Sequence, residues 1–531
     1  MEGEYREGGG EIESMISEQV KINGILTPLT LSADGKLRWT ERGEKCLTVE
    51  KQVLGFSTEG SFIKVKAFLE RETGVYCGVG GAGIRGIRLR KDFLFEPISE
   101  ESKTNRPKRL FIIVNPYGGK KSASKIFDEE VKPLLEAADI QYTVQETQYR
   151  LHAKEVSNAL DLTKYDGIVC VSGDGILVEV VNGLLQREDW ASAIKMPLGI
   201  VSAGTGNGMV KSLLDEIDEP CSVSNAMLAI IRGHKCSLDV ATVLQGKTRF
   251  FSVLMLAWGL VADIDIESEK YRWMGSARLD FYGLLRVIRL RKYNGRVSFV
   301  PAPGYETFGE KSSFHSLHQN QADDLKVAEN CYLGPEICME DLEWRSLDGP
   351  FVSVWLHNVP WGSEDTCAAP SAKVDFLLLR YLSLLTPSFF IFLKWRQDSL
   401  DILYLVYRFS DGYLDLIIMR DCSKSSLLTL MTKLNDGSHV ITTCLLPQGM
   451  LRITMTINLN ICYSTPSVKA FILEPGQRAD DPSKGGIIDS DGEVLARGQG
   501  AYKYENKDLM TYGPLQITVD QGLATLFSPR L

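Results

Sequence analysis

An aspartate held between two glycines is the first residue in this chain placed to do chemistry. Residues 168–184 read IVCVSGDGILVEVVNGL, an unbroken apolar run that gives way to Ser172, Gly173, Asp174 and Gly175 and then resumes with helical spacing. Gly173 and Gly175 have access to backbone conformations closed to other residues, so the chain can turn sharply and present Asp174 at the tip. A helix beginning near Ile176 aims its free N–H groups at the same place, which favours a phosphate. A carboxylate beside a phosphate cradle serves as a base or a metal ligand. The same geometry also serves as a plain helix cap, and this stretch alone does not separate the two.

The elements that must position Asp174 follow one plan, repeated three times from Leu110: a buried-type strand, a glycine-rich turn, then a helix. LFIIVNPYGGKKSASKIF is the first, GIVCVSGDGILVEVVNGLL the second and PLGIVSAGTGNGMVKSLL the third. Strands without polar alternation, interleaved with helices, predict a parallel sheet covered on both faces. Turns at the carboxyl ends of such strands converge on one crevice. No G-x-x-x-x-G-K-[ST] occurs, so none is a Walker A loop. The resulting organisation is a disordered 1–15, a small β-rich region at 16–100, and an α/β domain at 106–236. A second domain of antiparallel strands follows at 237–515, with a polar loop at 303–330. GVGGAG, Gly78 to Gly83, formally matches G-x-G-x-x-G, but the IRGIRLRKDF after it is no helix of a βαβ unit. His315 and His318 in the polar loop have no further ligand nearby in sequence, so no metal is assigned to them.

At 531 residues, 44% hydrophobic and 24% charged, the chain is of ordinary globular composition and suffices for two or three domains. A formal charge of −9 argues against binding nucleic acid through massed phosphate contacts. Eleven cysteines without a C-x-x-C pair fit reduced thiols. The acidic start, MEGEYREGGGEIESMI, is no signal peptide, and a cytoplasmic location is expected.

Taken together, NPYGGKKSA, SGDGILVEVVNGL, SAGTGNGM and LAWGLVADIDIESEKYRWMGSARL resemble the sphingosine (long-chain base) kinases of plants, within the diacylglycerol-kinase-like superfamily. GGIIDSDGEVLARG resembles their final nucleotide-site motif. The likeness covers most of residues 108–300 and returns in patches to about 500; the glycine turns identify only the superfamily, whereas ADIDIESEKYR points to the sphingoid-base branch. The resemblance implies a lipid kinase with a Rossmann-like parallel-sheet nucleotide domain, an antiparallel β-sandwich domain and ATP in the cleft between them. It implies that Asn115, Pro116, Tyr117, the stretch beginning at Thr147, Glu179, Gly204, Thr205 and Gly206 lie beside ATP. Arg272 and Arg278 would reach its phosphates, and Asp491, Gly492 and Glu493 would close the site, the two acids through Mg2+. Ser172, Gly173, Gly175 and Asp265 would face the lipid head group, with Asp174 as catalytic base.

The chemistry asks for such parts, because phosphoryl transfer is mostly positioning and charge neutralisation. An ammonium near the acceptor hydroxyl gives Asp265 a partner that diacylglycerol lacks; alternatively, Asp263, Asp265 and Glu267 are one solvated face of an extended segment. Arg272 and Arg278, six apart, predict a turn at Met274 and Gly275, and the other reading of both is surface charge. Two stretches depart from the family, near 374–408 and 441–466, and read as translated intron or a minor isoform. Phe376 to Leu393 holds Arg380 and Pro387 and is not read as a membrane span. Peripheral membrane contact is expected. The competing readings are a ceramide or diacylglycerol kinase, an NAD kinase, and an inactive lipid-binding protein whose second domain the two stretches disrupt.

Overall fold

The computed structural model describes residues 16–22, 25–32, 35–40, 43–59, 62–72, 86–95, 107–119, 121–275, 277–312, 331–370, 410–420, 423–434, 462–464, 467–502 and 508–529. The expectations for 1–15, for Gly78 to Gly83, for His315 and His318, and for nearly all of the two atypical stretches lie outside the described residues. The chain divides into two compact units. One comprises Met1–Lys108, Val131–Gln141 and Ile231–Gly233, the other Arg109–Glu130, Tyr142–Ile230 and His234–Leu531.

The first unit is β-rich, as its short alternating runs predict. Ile16–Ile22, Ile25–Leu31, Lys36–Thr40 and Glu44–Thr48 form one antiparallel sheet, and Val53–Glu59, Phe62–Glu72 and Gly86–Phe95 another. Leu37 and Trp39, and likewise Val65 and Ala67, are two apart and enter the same small core.

In the second unit, strands β1 (Arg109–Val114), β2 (Gly167–Ser172) and β3 (Leu198–Ser202) are parallel, with Val169 opposite Ile112 on one side and Gly199 on the other. Every residue of β2 is buried, which is why its sequence carries no polar alternation. Helix α1 (His152–Ala159) precedes β2, α2 (Asp174–Leu185) follows it and α3 (Gly208–Asp215) follows β3. Residues 176–185 of α2 are all buried, matching a helix that is apolar on every side.

Antiparallel strands complete the unit: β4 (Lys235–Gln245), β5 (Met255–Gly259), β6 (Ser353–His357), β7 (Ile487–Ser490), β8 (Glu493–Arg497) and β9 (Leu515–Phe527). Ala257 and Trp258, Ile417 and Ile418, and Ile487 and Ile488 each send one member to one hydrophobic cluster and the next to another. Both faces of this sheet are therefore covered. The boundaries at 236 and 515 do not interrupt the sheet, because β9 runs on to Phe527 and pairs with both β4 and β3. The described flanks of the atypical stretches join the same sheet. Leu414–Arg420 pairs with β6, and Ser467–Arg478 pairs with Tyr293–Pro301.

One element departs from expectation. The acidic run after β5 is a helix, α4 (Leu260–Glu267), and not an extended segment. Gly259, at φ +92°, ends the strand where a Cβ would lie 2.6 Å from the Val352 carbonyl oxygen. Asp263 and Glu267, four apart on one face of α4, are buried against arginines instead of lining a solvated edge. The turn expected at Met274 and Gly275 is present, with Gly275 at φ +65° leading into α5 (Ala277–Ile288).

Candidate active site

The three glycine turns touch. A Cβ on Gly204 would lie 2.3 Å from Gly173 Cα, and one on Gly119, itself at φ +51°, would lie 2.9 Å from the Gly204 carbonyl carbon. Only glycine permits this approach. Beside them Asn115 folds its own turn, its Oδ1 accepting from the Tyr117 N–H at 3.1 Å and from the Thr147 hydroxyl at 3.3 Å. Thr147 is buried and Tyr117 is half exposed.

Asp174 is the first residue of α2, behind the N-cap Gly173. Its carboxylate does cap a helix, but another one: Oδ2 accepts from Gly208 N–H at 2.8 Å and Oδ1 from Met209 N–H at 3.0 Å, at the start of α3. Two helix N-termini thus meet at one carboxylate. Burial raises its proton affinity above that of an ordinary aspartate; the two N–H groups oppose the rise and the charge of Glu364 adds to it. Asn207, in the left-handed region at φ +56°, accepts from Gly204 N–H at 2.9 Å and donates to Glu364 at 2.6 Å. The sequence reading missed Asn207 and Glu364. An asparagine between glycines, tolerant of positive φ, was the available signal for the first. For Glu364, 157 residues away, there was none.

Glu179 faces the opposite way from α2. Its Oε1 accepts from Leu151 N–H at 3.0 Å and its Oε2 from Ala153 N–H at 3.1 Å, capping α1. Burial pushes Glu179 up to about 7, with the two N–H groups pulling down and Glu493 pushing up. Glu493 accepts from Arg150 Nε at 2.9 Å. The turn before it is tight, with Asp491 at φ +55° and Gly492 at +81°. Buried Asp491 accepts from the N–H groups of Val253, Leu254 and Met255 at 3.2, 2.8 and 2.7 Å. Burial lifts it to about 6. A Cβ on Gly175 would lie 3.9 Å from the Asp491 carbonyl oxygen, and one on Gly206 would lie 3.5 Å from Asp174 Oδ2. For magnesium, Asp491 is a poor ligand, since its oxygens are engaged by backbone donors. Among the described residues no group of three or more His, Cys, Asp and Glu is arranged to hold a metal.

The acids of α4 divide between two faces. Asp263 accepts from Arg286 at 2.8 Å and from the Tyr293 hydroxyl at 2.5 Å, and Glu267 from Arg291 at 2.7 Å. Asp265 points elsewhere, partly exposed, and meets the carboxyl of Asp489 on β7. Arg278 is buried. Its Nη1 donates to Ser268 Oγ at 2.5 Å and to the Asp265 carbonyl at 3.3 Å, and its Nη2 lies 2.6 Å from Glu269. In this structure its guanidinium therefore braces the segment after α4. The side chain of Arg272 lies outside the described residues. Among the described residues no helix is long and apolar enough to cross a membrane.

The diacylglycerol kinase catalytic domain family matches residues 109–243. Sphingosine kinase 1 of Arabidopsis thaliana is 53% identical over 529 residues, and Sphingosine kinase 2 of the same plant is 53% identical over 528, each covering 97% of both chains. Sphingosine kinase 1 of Homo sapiens is 39% identical over 202 residues, 37% of this chain and 53% of that one. With identity of that order along nearly the whole of both chains, this protein belongs to the sphingosine kinases and is an ATP-dependent lipid kinase.

Proposed function

We propose that the protein transfers the γ-phosphoryl group of ATP to the primary hydroxyl of sphingosine-like long-chain bases, with Asp174 as general base. The observation that carries this reading is the meeting of three glycine turns at one carboxylate pinned by the α3 N–H groups. Pinning fixes the direction of the remaining lone pairs, and raised proton affinity suits a group that takes a proton from an alcohol as the phosphoryl moves. Ser172, Gly173 and Gly175 present it. Asn115, Pro116, Tyr117, Thr147, Glu179, Gly204, Thr205 and Gly206 form the nucleotide side, where N–H-rich backbone without Cβ atoms lets phosphates approach closely. Arg272 and Arg278 neutralise phosphate charge; for Arg278 this means exchanging Glu269 and Ser268 for phosphate oxygens. Asp491, Gly492 and Glu493 close the nucleotide site. Mg2+ bound with ATP would supply charge neutralisation at its phosphates. Glu493 is the better suited carboxylate for it, because Asp491 is fully hydrogen-bonded.

Asp265, partly exposed on α4, holds the ammonium of the base. Helix α5 presents Phe281, Leu284 and Ile288 to solvent on one stripe, with Trp273 81% exposed nearby in sequence, a surface suited to shallow contact with a bilayer from the cytoplasmic side. Labelled ATP offered with sphingosine, ceramide, diacylglycerol and NAD tests the substrate. Transfer to sphingosine is expected to dominate, and equal transfer to diacylglycerol refutes the reading. Asp174→Asn is expected to lose about 10²- to 10⁴-fold in kcat; parental kcat removes Asp174 as the base.

A further inference from the structure

Glu364 stands on a hairpin to which none of the roles above applies. Trp361–Ser363 pairs with Thr366–Cys367, and the hairpin is anchored at both ends. Trp361 donates its backbone N–H to Ser212 Oγ at 3.1 Å and its indole N–H to Asp215 at 2.9 Å, both on α3, and Lys211 lies 4.2 Å from the centroid of the indole. The Cys367 N–H donates to the Leu434 carbonyl at 2.7 Å. Between these anchors the tip touches the 204–208 turn at two points. The Glu364 N–H donates to the Gly206 carbonyl at 2.8 Å, and Glu364 Oε1 accepts from Asn207 Nδ2 at 2.6 Å. The chemistry is close by, since a Cβ on Gly206 would lie 3.7 Å from the Gly362 carbonyl oxygen and 3.5 Å from Asp174 Oδ2. The side-chain contact also has a direction. Asn207 is buried, and its amide spans Gly204: Oδ1 accepts from the Gly204 N–H at 2.9 Å and Nδ2 donates to the Gly204 carbonyl at 3.3 Å. Turned over, the amide would set its NH2 against that N–H, donor against donor. A carboxylate can only accept, so Glu364 keeps the NH2 on its own side and leaves Oδ1 for Gly204.

Resting on the assignment of Gly204, Thr205 and Gly206 to the nucleotide side, we propose that Glu364 is a positioning residue for ATP, the tip of a clamp that fixes the glycine turn by orienting the Asn207 amide. Glu364 acts through Asn207 and not on the nucleotide itself. It is exposed, so its effect comes from selecting one orientation of a buried amide and not from the strength of a surface charge. Gly204 sits where a Cβ would lie 2.3 Å from Gly173 Cα. A turn held at its N–H, its carbonyl and the Gly206 carbonyl keeps that close approach, and with it the backbone N–H groups that face the phosphates.

Steady-state kinetics of the full chain with ATP and detergent-dispersed sphingosine, read beside thermal melting, tests the clamp. Glu364→Ala is expected to raise the KM for ATP about tenfold, with the KM for sphingosine within about twofold of the parent and the melting midpoint unchanged. Glu364→Gln removes the charge but keeps a carbonyl that accepts from Asn207 Nδ2, so its KM for ATP is expected within about threefold of the parent. A rise there as large as in Glu364→Ala shows that charge acts and not orientation, and overturns the proposal. Asn207→Asp sets a second carboxylate against Glu364 and is expected to raise the KM for ATP more than about tenfold. Adding Glu364→Gln to Asn207→Asp lets the new amide donate to the introduced carboxylate, with the hydrogen bond reversed, and is expected to recover at least about fivefold. Absence of recovery overturns the proposal. The two KM values in Glu364→Ala separate the two ways of being wrong. A rise in the sphingosine KM alone refutes the nucleotide assignment of the turn; neither value moving refutes only the clamp.

Discussion

Replacing Gly204 by alanine tests whether contact between the glycine turns positions the chemistry. The new methyl would sit 2.3 Å from Gly173 Cα, 2.7 Å from Gly173 N and 3.1 Å from Asn207 Oδ1. The first two are backbone atoms of the turn that carries Asp174, so no side chain can yield by rotating. Ordinary contact requires the turns to separate by about 1 Å. Overpacking of this kind costs about 1–3 kcal/mol in stability, and a displacement of about 1 Å between reacting groups costs about 10²-fold in rate. The control is two residues along the same turn. On Gly206 a methyl would meet Asp174 Oδ2 at 3.5 Å, the Gly362 carbonyl oxygen at 3.7 Å and Ser363 Cβ at 4.0 Å, all ordinary contacts. Sphingosine phosphorylation by labelled ATP, read beside thermal melting, is expected to fall about 10²-fold in Gly204→Ala and less than about tenfold in Gly206→Ala. Activity in Gly204→Ala within about twofold of the parent, or a larger loss in Gly206→Ala, refutes the reasoning.

Glu179→Gln reports the pH dependence of stability. The folded-state value near 7 is raised above the usual 4.5, so the group's contribution is fully present below about 4.5 and is lost as pH rises through about 7. Relative to the variant, the parent is expected to lose up to about 1.4 kcal/mol per pH unit across that window in urea denaturation, and a constant difference contradicts the burial argument. Arg286→Met leaves Asp263 without its closest guanidinium at a fully buried position and is expected to destabilise the fold by about 3–5 kcal/mol; a change below about 1 kcal/mol shows that Arg291 and Tyr293 suffice. Replacing Phe281, Leu284 and Ile288 together by serine is expected to abolish co-sedimentation with liposomes while leaving turnover of detergent-dispersed sphingosine within about threefold. Parental co-sedimentation shows that this stripe does not dock.

What the sequence revealed and what it hid divide by distance along the chain. The three strand–turn–helix units were legible because each is local: an apolar run, glycines, then helical spacing. Asp174 was legible as important for the same reason, yet its acceptor role toward Gly208 and Met209 joins residues more than thirty apart, so only its own helix could be suspected of being capped. The acids of α4 misled because alternation suggested a period of two. The competing signal was present, since Asp263 and Glu267 are four apart, but the arginines that select it lie on α5 and just beyond it. That Arg278 pairs with Glu269 was not legible either, because no local pattern announces the pair. Asp489 was hidden most completely: in IIDSDGEV it stands beside other polar residues at the end of a short strand, and its burial without an N–H or hydroxyl donor appears only in the fold. These cases share a cause. Burying a carboxylate is unfavourable without donors or a counter-charge, so each buried acid here carries information about a distant partner. Asp174 has two N–H groups, Asp263 has its arginines, and Asp491 has a loop. Asp489 alone among these four has no N–H or hydroxyl donor, and burial raises its proton affinity well above that of an ordinary aspartate.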